Sequence, residues 1–209
     1  MTPEQLTDVL SRITPSTAAT TTFKIDQPVE QVRQILEKCY EAEVLARRGR
    51  YDATPEIEGM LTTVSRWLCS DRKKPGLMLC GRCGNGKTTM ARAVCRLIEV
   101  LNRRNVWTLT ASAAADLQIK DPERFSRFKT ATQIFIDDLG TEPVEIKDFG
   151  TVRMPLVEIL YHRYETMKFT LCTTNEDDQS LKVKYGERIA DRMGEMFNRL
   201  AFGAQSFRK

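Results

Sequence analysis

A short glycine-rich stretch carries the clearest chemistry in this sequence. The spacing G-x-x-x-x-G-K-[ST] is satisfied by Gly81, Gly86, Lys87 and Thr88. Gly84 adds a further residue that adopts a positive φ angle without strain. In such a loop successive backbone N–H groups point inward, and the helix that follows adds the positive end of its dipole. The sequence therefore predicts a P-loop that binds phosphate groups.

The predicted ligand of this loop is a nucleoside triphosphate with a Mg²⁺ ion. Lys87 would contact the β and γ phosphates, and the hydroxyl of Thr88 would be a ligand of the ion. Because the phosphates lie across the whole loop, we expect every loop residue to contact the nucleotide. The expected nucleotide-binding residues are Gly81, Arg82, Cys83, Gly84, Asn85, Gly86, Lys87, Thr88 and Thr89.

Two adjacent carboxylates follow a second apolar stretch that starts at Gln133. A strand that ends in two acidic residues and a glycine is typical of a Walker B motif. Asp137 would hold the Mg²⁺ ion, directly or through water, beside Thr88. Asp138 would orient or deprotonate the attacking water, so we predict that it is catalytic.

Another candidate strand, residues 168–175, ends in Thr173, Thr174 and Asn175. Strand and helix patterns alternate along the chain, which predicts an α/β fold with a doubly wound parallel sheet. The ligand of such a sheet lies at the carboxyl ends of the strands, so this end would face the γ-phosphate. Asn175 is the candidate polarising group there.

The apolar spacing also predicts the elements that position these motifs. One helix starts at Pro28 and ends at Gly49, and a second is capped by Thr54. The other predicted elements are the P-loop helix to about Arg104, a strand over 106–110, helical segments over 111–117 and 122–129, an uncertain connection over 144–150, and a helix from Val152 to about Met167.

These elements divide the chain into three parts. Residues 1–27 end in a run of Ser, Thr and Ala that predicts a flexible arm. Residues 28–72 form an N-terminal helical region, whose apolar faces would either pack against the core or dock a partner protein. Residues 73–209 carry the motifs and form the nucleotide-binding core.

Composition and charge exclude several classes of protein. No apolar run approaches about 18 residues, and the first residues lack a basic-then-apolar signal, so we expect a soluble cytoplasmic protein with no membrane partner. Cys80 and Cys83 lack a second Cys or His pair at zinc spacing. The net charge is +4, and residues 179–209 account for all of it, which favours a contact with DNA phosphates.

The motifs together resemble those of the AAA+ ATPases of the DnaC/DnaI helicase-loader and IstB transposition-helper group, over residues 60–209. The matching stretches are the P-loop, the strand that ends in Asp137-Asp138-Leu139-Gly140, the sequence Arg163-Tyr164-Glu165 before the strand that ends in Asn175, and residues 185–193. Only 34 residues follow Asn175, too few for the helical lid of most AAA+ proteins, and this group is characteristically lidless.

The resemblance implies several further site residues. Arg192 corresponds to the arginine finger that reaches the γ-phosphate of a neighbouring subunit, with Arg188 as a supporting or competing candidate. Arg208 resembles the sensor II position. A finger from another subunit implies self-association, so ATP hydrolysis would be weak until subunits assemble. The implied catalytic residues are Lys87, Asp138, Asn175 and Arg192.

Three functions remain open at this point. The resemblance favours an ATP-dependent helicase loader that assembles with a replicative helicase and single-stranded DNA. The main alternative is an IstB-like ATPase that serves a transposase on duplex DNA. A small P-loop nucleotide kinase is a minor alternative. The N-terminal region lacks the cysteine and histidine cluster of DnaI-like zinc modules, so the identity of the protein partner stays open.

Overall fold

Within residues 23–148 and 150–203, which the computed structural model describes apart from the side chains of residues 48 and 148, five parallel strands form one sheet. The strands are β1 (Gly76–Cys80), β2 (Trp107–Thr110), β3 (Ile134–Leu139), β6 (Thr170–Thr174) and β7 (Phe197–Ala201). Their order is β2-β3-β6-β1-β7, and all neighbours are parallel. The predicted doubly wound α/β fold is confirmed.

Helices cover both faces of this sheet. They are α1 (Val29–Arg48), α2 (Pro55–Cys69), α3 (Lys87–Asn102), α4 (Ala113–Lys120), α5 (Pro122–Thr130), α6 (Pro155–Thr166), α7 (Asp178–Tyr185) and α8 (Glu187–Met196). Successive side chains of a strand point to opposite faces. Leu77 and Leu79 of β1 accordingly pack with α1, α2 and α3, whereas Met78 packs among residues of α4 to α8.

The helix boundaries follow local signals in the sequence. Gly49 ends α1 in the left-handed conformation, with φ of 68°. At the start of α2 the Thr54 hydroxyl accepts a hydrogen bond from the Ile57 N–H at 3.4 Å. Asp121 caps α5 in the same way, through the Arg124 N–H at 2.9 Å. These predicted caps are confirmed.

The N-terminal helices α1 and α2 pack into the hydrophobic core on one face of the sheet. Val32, Leu36 and Leu61 are fully buried in the cluster that also holds the apolar face of α3. Ile25, which the sequence assigned to the arm, is buried too, and its N–H donates to the Leu68 carbonyl at 3.1 Å. Phe23 and Ile25 therefore pack against the core, and residues 1–22 of the predicted arm lie outside the described residues.

Two segments differ from the sequence-based expectation. An antiparallel hairpin, β4 (Ile146–Asp148) and β5 (Thr151–Arg153), starts in the uncertain connection after β3 and extends beyond it. Val152 belongs to this hairpin, so α6 starts at Pro155 instead, where the fixed φ of proline suits the first turn. β7 was not predicted, because its five residues follow α8 directly with no glycine or proline between them.

None of the helices in the described part of the chain is both long and apolar enough to cross a lipid bilayer.

Candidate nucleotide site

The P-loop leaves the carboxyl end of β1 and enters α3. Gly86 precedes the helix with φ of 86°, a conformation in which a side chain is strained. Gly81 is constrained by space as well, since a Cβ atom there would lie 2.8 Å from the Phe202 carbonyl oxygen. The loop therefore needs glycine at both positions to place its amides at the start of α3, where an anion binds favourably.

The Lys87 ammonium lies at the centre of this loop. Among the described residues four oxygens lie within hydrogen-bonding distance of its three N–H donors: the carbonyls of Gly81 and Arg82 at 2.7 and 2.9 Å, and the side chains of Asn85 and Asn175 at 3.1 and 2.8 Å. Burial lowers the pKa of Lys87, whereas the nearby Asp138 carboxylate opposes that shift. The ammonium is thus held in the loop and beside the end of β6.

Thr88 and Asp137 form the pair expected at a Mg²⁺ ion. The Thr88 hydroxyl donates to Asp137 Oδ1 at 2.9 Å, and Asp137 is buried. A hydroxyl and a carboxylate are hard oxygen ligands, so these side chains fit Mg²⁺ with phosphates and water completing its coordination. In the described chain no group of three or more His, Cys, Asp or Glu residues is placed to hold a metal ion.

Asp138 turns away from the strand ladder and lines the nucleotide cleft. Its φ of 56° is unusual for a residue with a side chain. The backbone N–H of Asp138 donates to the Thr173 hydroxyl at 2.8 Å, and that hydroxyl donates to Asp137 at 2.6 Å. Neighbouring strands therefore bring both carboxylates to the mouth of the P-loop.

The cleft itself is built by the P-loop, the ends of β3 and β6, and the end of α1. Its lining residues are Arg47, Cys83, Gly84, Asn85, Gly86, Lys87, Thr88, Thr89, Asp138 and Asn175. Gly81 and Arg82 contribute carbonyls to Lys87 without lining the cleft. Arg47 was missed by the sequence analysis, because a helical arginine 40 positions before the P-loop lysine has no motif that connects the two.

Asn85 links the P-loop to the chain after β7. It is almost fully buried, and its amide donates to the Phe202 carbonyl at 3.2 Å while its oxygen accepts from Lys87. The Phe202 N–H in turn donates to the Cys80 carbonyl at 2.7 Å. β7 and its continuation thus fix the P-loop from behind.

The arginine-finger candidates lie elsewhere on the molecule. The guanidinium of Arg192 is 4.0 Å from the ring centre of Tyr161 and 5.1 Å from that of Tyr164, both on α6. Arg188 lies 5.7 Å from the same Tyr161 ring. Neither arginine is among the described residues that line the cleft. Arg208, the sensor II candidate, lies outside the described residues.

Several basic residues of the C-terminal segment have partners within the chain. Lys182 pairs with Glu187 at 2.5 Å, and Arg199 pairs with Asp178. Lys184 donates to the Gly140 carbonyl at 2.7 Å, next to the Walker B carboxylates. The prediction of a DNA contact rested on the positive charge of residues 179–209. Part of that charge therefore takes part in contacts within the chain.

Solved structures share this fold at low sequence identity. The DnaC helicase loader matches with a TM-score of 0.60 and 21% identity, over 79% of this chain and 99% of that chain. DnaI matches with a TM-score of 0.55 and 20% identity, over 86% of this chain and 96% of that chain. This chain has the fold of a DnaC-type helicase loader.

A solved DnaA structure also shares part of this fold. AMPPCP-bound DnaA from Aquifex aeolicus matches with a TM-score of 0.50 and 16% identity, over 72% of this chain and 48% of that chain. No family model and no curated protein matches the sequence. The resemblance drawn from the motifs is thus confirmed at the level of the AAA+ fold.

Proposed function

We propose that this protein binds and hydrolyses ATP with Mg²⁺ and acts as a DnaC-like loader of a replicative helicase onto single-stranded DNA. One observation carries the ATPase part of the proposal. The Lys87 ammonium, the Thr88 and Asp137 pair, the Asp138 carboxylate and the Asn175 amide lie together where parallel strands end. These groups supply what phosphoryl transfer to water requires.

Each of these residues has a distinct task in the proposed reaction. The loop amides and Lys87 bind the β and γ phosphates, and the Asn175 amide orients the γ-phosphate beside them. Thr88 and Asp137 would hold Mg²⁺, which neutralises phosphate charge when bound. Asp138 accepts a hydrogen bond or a proton from the attacking water, so that the water is aligned with the γ-phosphorus.

A second subunit would complete the site. Arg192 is on α8 and does not line the described cleft of its own chain, as expected for a finger that acts on a neighbour. Its guanidinium lies over the rings of Tyr161 and Tyr164, so it would leave these rings to reach the γ-phosphate of a neighbour. Because such a finger comes from a second subunit, we infer that isolated subunits hydrolyse ATP slowly.

The helicase-loader part of the proposal is supported by the extent of the structural match. DnaC and DnaI are covered almost completely, over 79% and 86% of this chain. Since the apolar faces of α1 and α2 are buried in the core, a helicase would be bound by other surfaces of the chain.

ATP hydrolysis and assembly, measured together, test this proposal. Hydrolysis is measured with no DNA, with single-stranded DNA and with duplex DNA. Light scattering measures the mass of the protein assemblies under the same conditions. We expect single strands to stimulate hydrolysis and ATP to increase the mass. Stimulation by duplex DNA alone would favour the transposition helper instead. Phosphate transfer to a nucleoside monophosphate would favour a kinase, and absence of nucleotide binding would refute the ATPase itself.

Salt dependence tests the DNA contact separately. A protein that binds DNA mainly through phosphates releases counterions, so its affinity falls steeply as salt is added. We expect the affinity for single-stranded DNA to fall by about 10-fold or more between 50 and 200 mM salt. An affinity that does not change over this range would contradict a phosphate-dominated contact.

A further inference from the structure

The hydroxyl of Thr173 lies between the two Walker B residues. Thr173 is fully buried on β6, the strand next to β3. Its Oγ1 donates to Asp137 Oδ1 at 2.6 Å and accepts from the Asp138 N–H at 2.8 Å. A hydroxyl has one proton to donate, so its contact with the carboxylate leaves a lone pair for the amide.

The backbone explains why Asp138 needs this partner. The β3 and β6 ladder pairs Ile136 with Cys172 and then Leu139 with Thr174, so β3 contains one extra residue at this point. An extra residue of this kind locally disrupts the ladder. Asp138 is in the interrupted segment, with φ of 56°. The Thr173 hydroxyl accepts the hydrogen bond of the Asp138 N–H at this irregularity.

The same hydroxyl determines the direction of the Asp137 carboxylate. Asp137 Oδ1 accepts from Thr173 on one side and from the Thr88 hydroxyl, at 2.9 Å, on the other. These contacts hold the carboxylate toward the start of α3. Meanwhile the irregular backbone directs Asp138 into the cleft, beside Lys87 and Asn175.

We propose that Thr173 is a positioning residue that orients both Walker B carboxylates. Its hydroxyl aims Asp137 at the Thr88 side of the site and stabilises the left-handed conformation that brings Asp138 to the attacking water. This inference rests on the proposed ATP hydrolysis and adds to it a residue that does not contact the nucleotide.

Thr174 offers a matched control in the next position. It is equally buried, and its hydroxyl donates to the Leu139 carbonyl at 2.7 Å and accepts from the Glu176 N–H at 3.1 Å. These contacts involve backbone groups and no carboxylate. Thr174→Val therefore removes a comparable buried hydroxyl without releasing Asp137.

The experiment compares Thr173→Val, Thr173→Ser and Thr174→Val with the parent. Binding of a fluorescent ATP analogue is titrated with and without Mg²⁺, hydrolysis is measured at saturating ATP, and thermal unfolding is recorded without nucleotide. For Thr173→Val we expect the affinity for the analogue without Mg²⁺ to stay within about 2-fold of that of the parent. The Mg²⁺ concentration that binding requires should rise, and the hydrolysis rate should fall, each by about 10-fold or more, as for loss of a hydrogen bond to a charged group. Thr173→Ser keeps the hydroxyl and should restore both.

Three results would overturn the inference while leaving the proposed function intact. They are a Thr173→Val protein with the Mg²⁺ dependence and rate of the parent, a serine variant that does not recover, and a Thr174→Val protein with the same losses at equal thermal stability. A parent protein that binds no ATP analogue would instead refute the proposed function, and this inference with it. The two failures are therefore distinguishable.

Discussion

The ammonium of Lys87 lies 2.8 Å from the side-chain oxygen of Asn175, although 88 positions separate the two residues. Lys87 starts α3 at the end of the P-loop, and Asn175 follows the last residue of β6. Because β1 and β6 are parallel neighbours, their carboxyl ends lie side by side. A phosphate bound by the lysine would thus meet the asparagine amide.

Replacing Lys87 should weaken nucleotide binding strongly. In Lys87→Ala the phosphates lose their charged partner, which weakens binding by about 10- to 100-fold or more. Fluorescence of a labelled ATP analogue measures the affinity directly. Lys120→Ala is a control, because Lys120 is exposed and pairs with Asp116 on α4. Unchanged affinity in Lys87→Ala would contradict the assignment of the P-loop.

Asp138→Asn should separate binding from hydrolysis. Asparagine tolerates the left-handed conformation at this position, so the backbone is expected to stay in place. The amide cannot accept a proton from water, and we expect hydrolysis to fall by about 10²- to 10⁴-fold while ATP affinity changes little. Single-turnover hydrolysis with a parallel binding titration tests this. Near-parental hydrolysis would assign the base to another group.

Arg192→Ala should remove hydrolysis from assembled subunits without preventing ATP binding. A finger supplied by a neighbour contributes about 10³- to 10⁵-fold in rate. The decisive measurement mixes Arg192→Ala with Lys87→Ala, each inactive alone. In the mixture an intact Arg192 can reach an intact P-loop on its neighbour, so activity should reappear.

Failure of that mixture to recover, in the presence of mixed assemblies, would argue against a finger in trans. Arg188→Ala provides the companion variant, since Arg188 lies near the same Tyr161 ring. Larger losses in Arg188→Ala than in Arg192→Ala would transfer the assignment to Arg188.

Arg47→Ala should weaken nucleotide binding with little change in the rate at saturation. Arg47 is an exposed residue of α1 that lines the nucleotide cleft, so its charge is available to the ligand. We expect KM for ATP to rise by about 2- to 5-fold, as for a solvent-exposed charged contact. Arg50→Ala is the control, because Arg50 pairs with Asp52 and does not line the cleft. Equal KM values for both variants would exclude this contact.

Arg163 is expected to stabilise the fold and not the reaction. Its guanidinium is fully buried and donates to carbonyls after α5, to the Phe169 carbonyl and, at 2.9 Å, to the Thr170 hydroxyl. Burial lowers the pKa of this guanidinium to about 10. Arg163→Met leaves buried carbonyls unsatisfied and should reduce the free energy of unfolding by about 3 kcal/mol or more.

Urea unfolding followed by circular dichroism measures this loss. Arg127→Ala removes an exposed pair with Glu123 on α5 and should cost less than about 1 kcal/mol. A loss in Arg163→Met no larger than in Arg127→Ala would show that the buried hydrogen bonds contribute little.

The elements that the sequence predicted well have local causes. Gly49, Thr54 and Asp121 act on the backbone within a few residues, and their caps occur where expected. The predicted helix start at Val152 was wrong because the structure of this segment depends on a contact with another strand. Its apolar residues suit either a strand or a helix, and pairing with β4 decides between them.

By itself the sequence determined the P-loop, the Walker B strand and the parallel α/β fold, because each depends on the order and spacing of neighbouring residues. The sequence also predicted that Asp137 lies beside Thr88 and that Asn175 faces the phosphates, whereas only the tertiary structure decided which atoms of these distant groups meet. The contacts of Asn175 with Lys87 and of Thr173 with both carboxylates depend on the register of β6 against β1 and β3. Burial of these strands sets that register, and the partners that fix it lie far apart in the sequence.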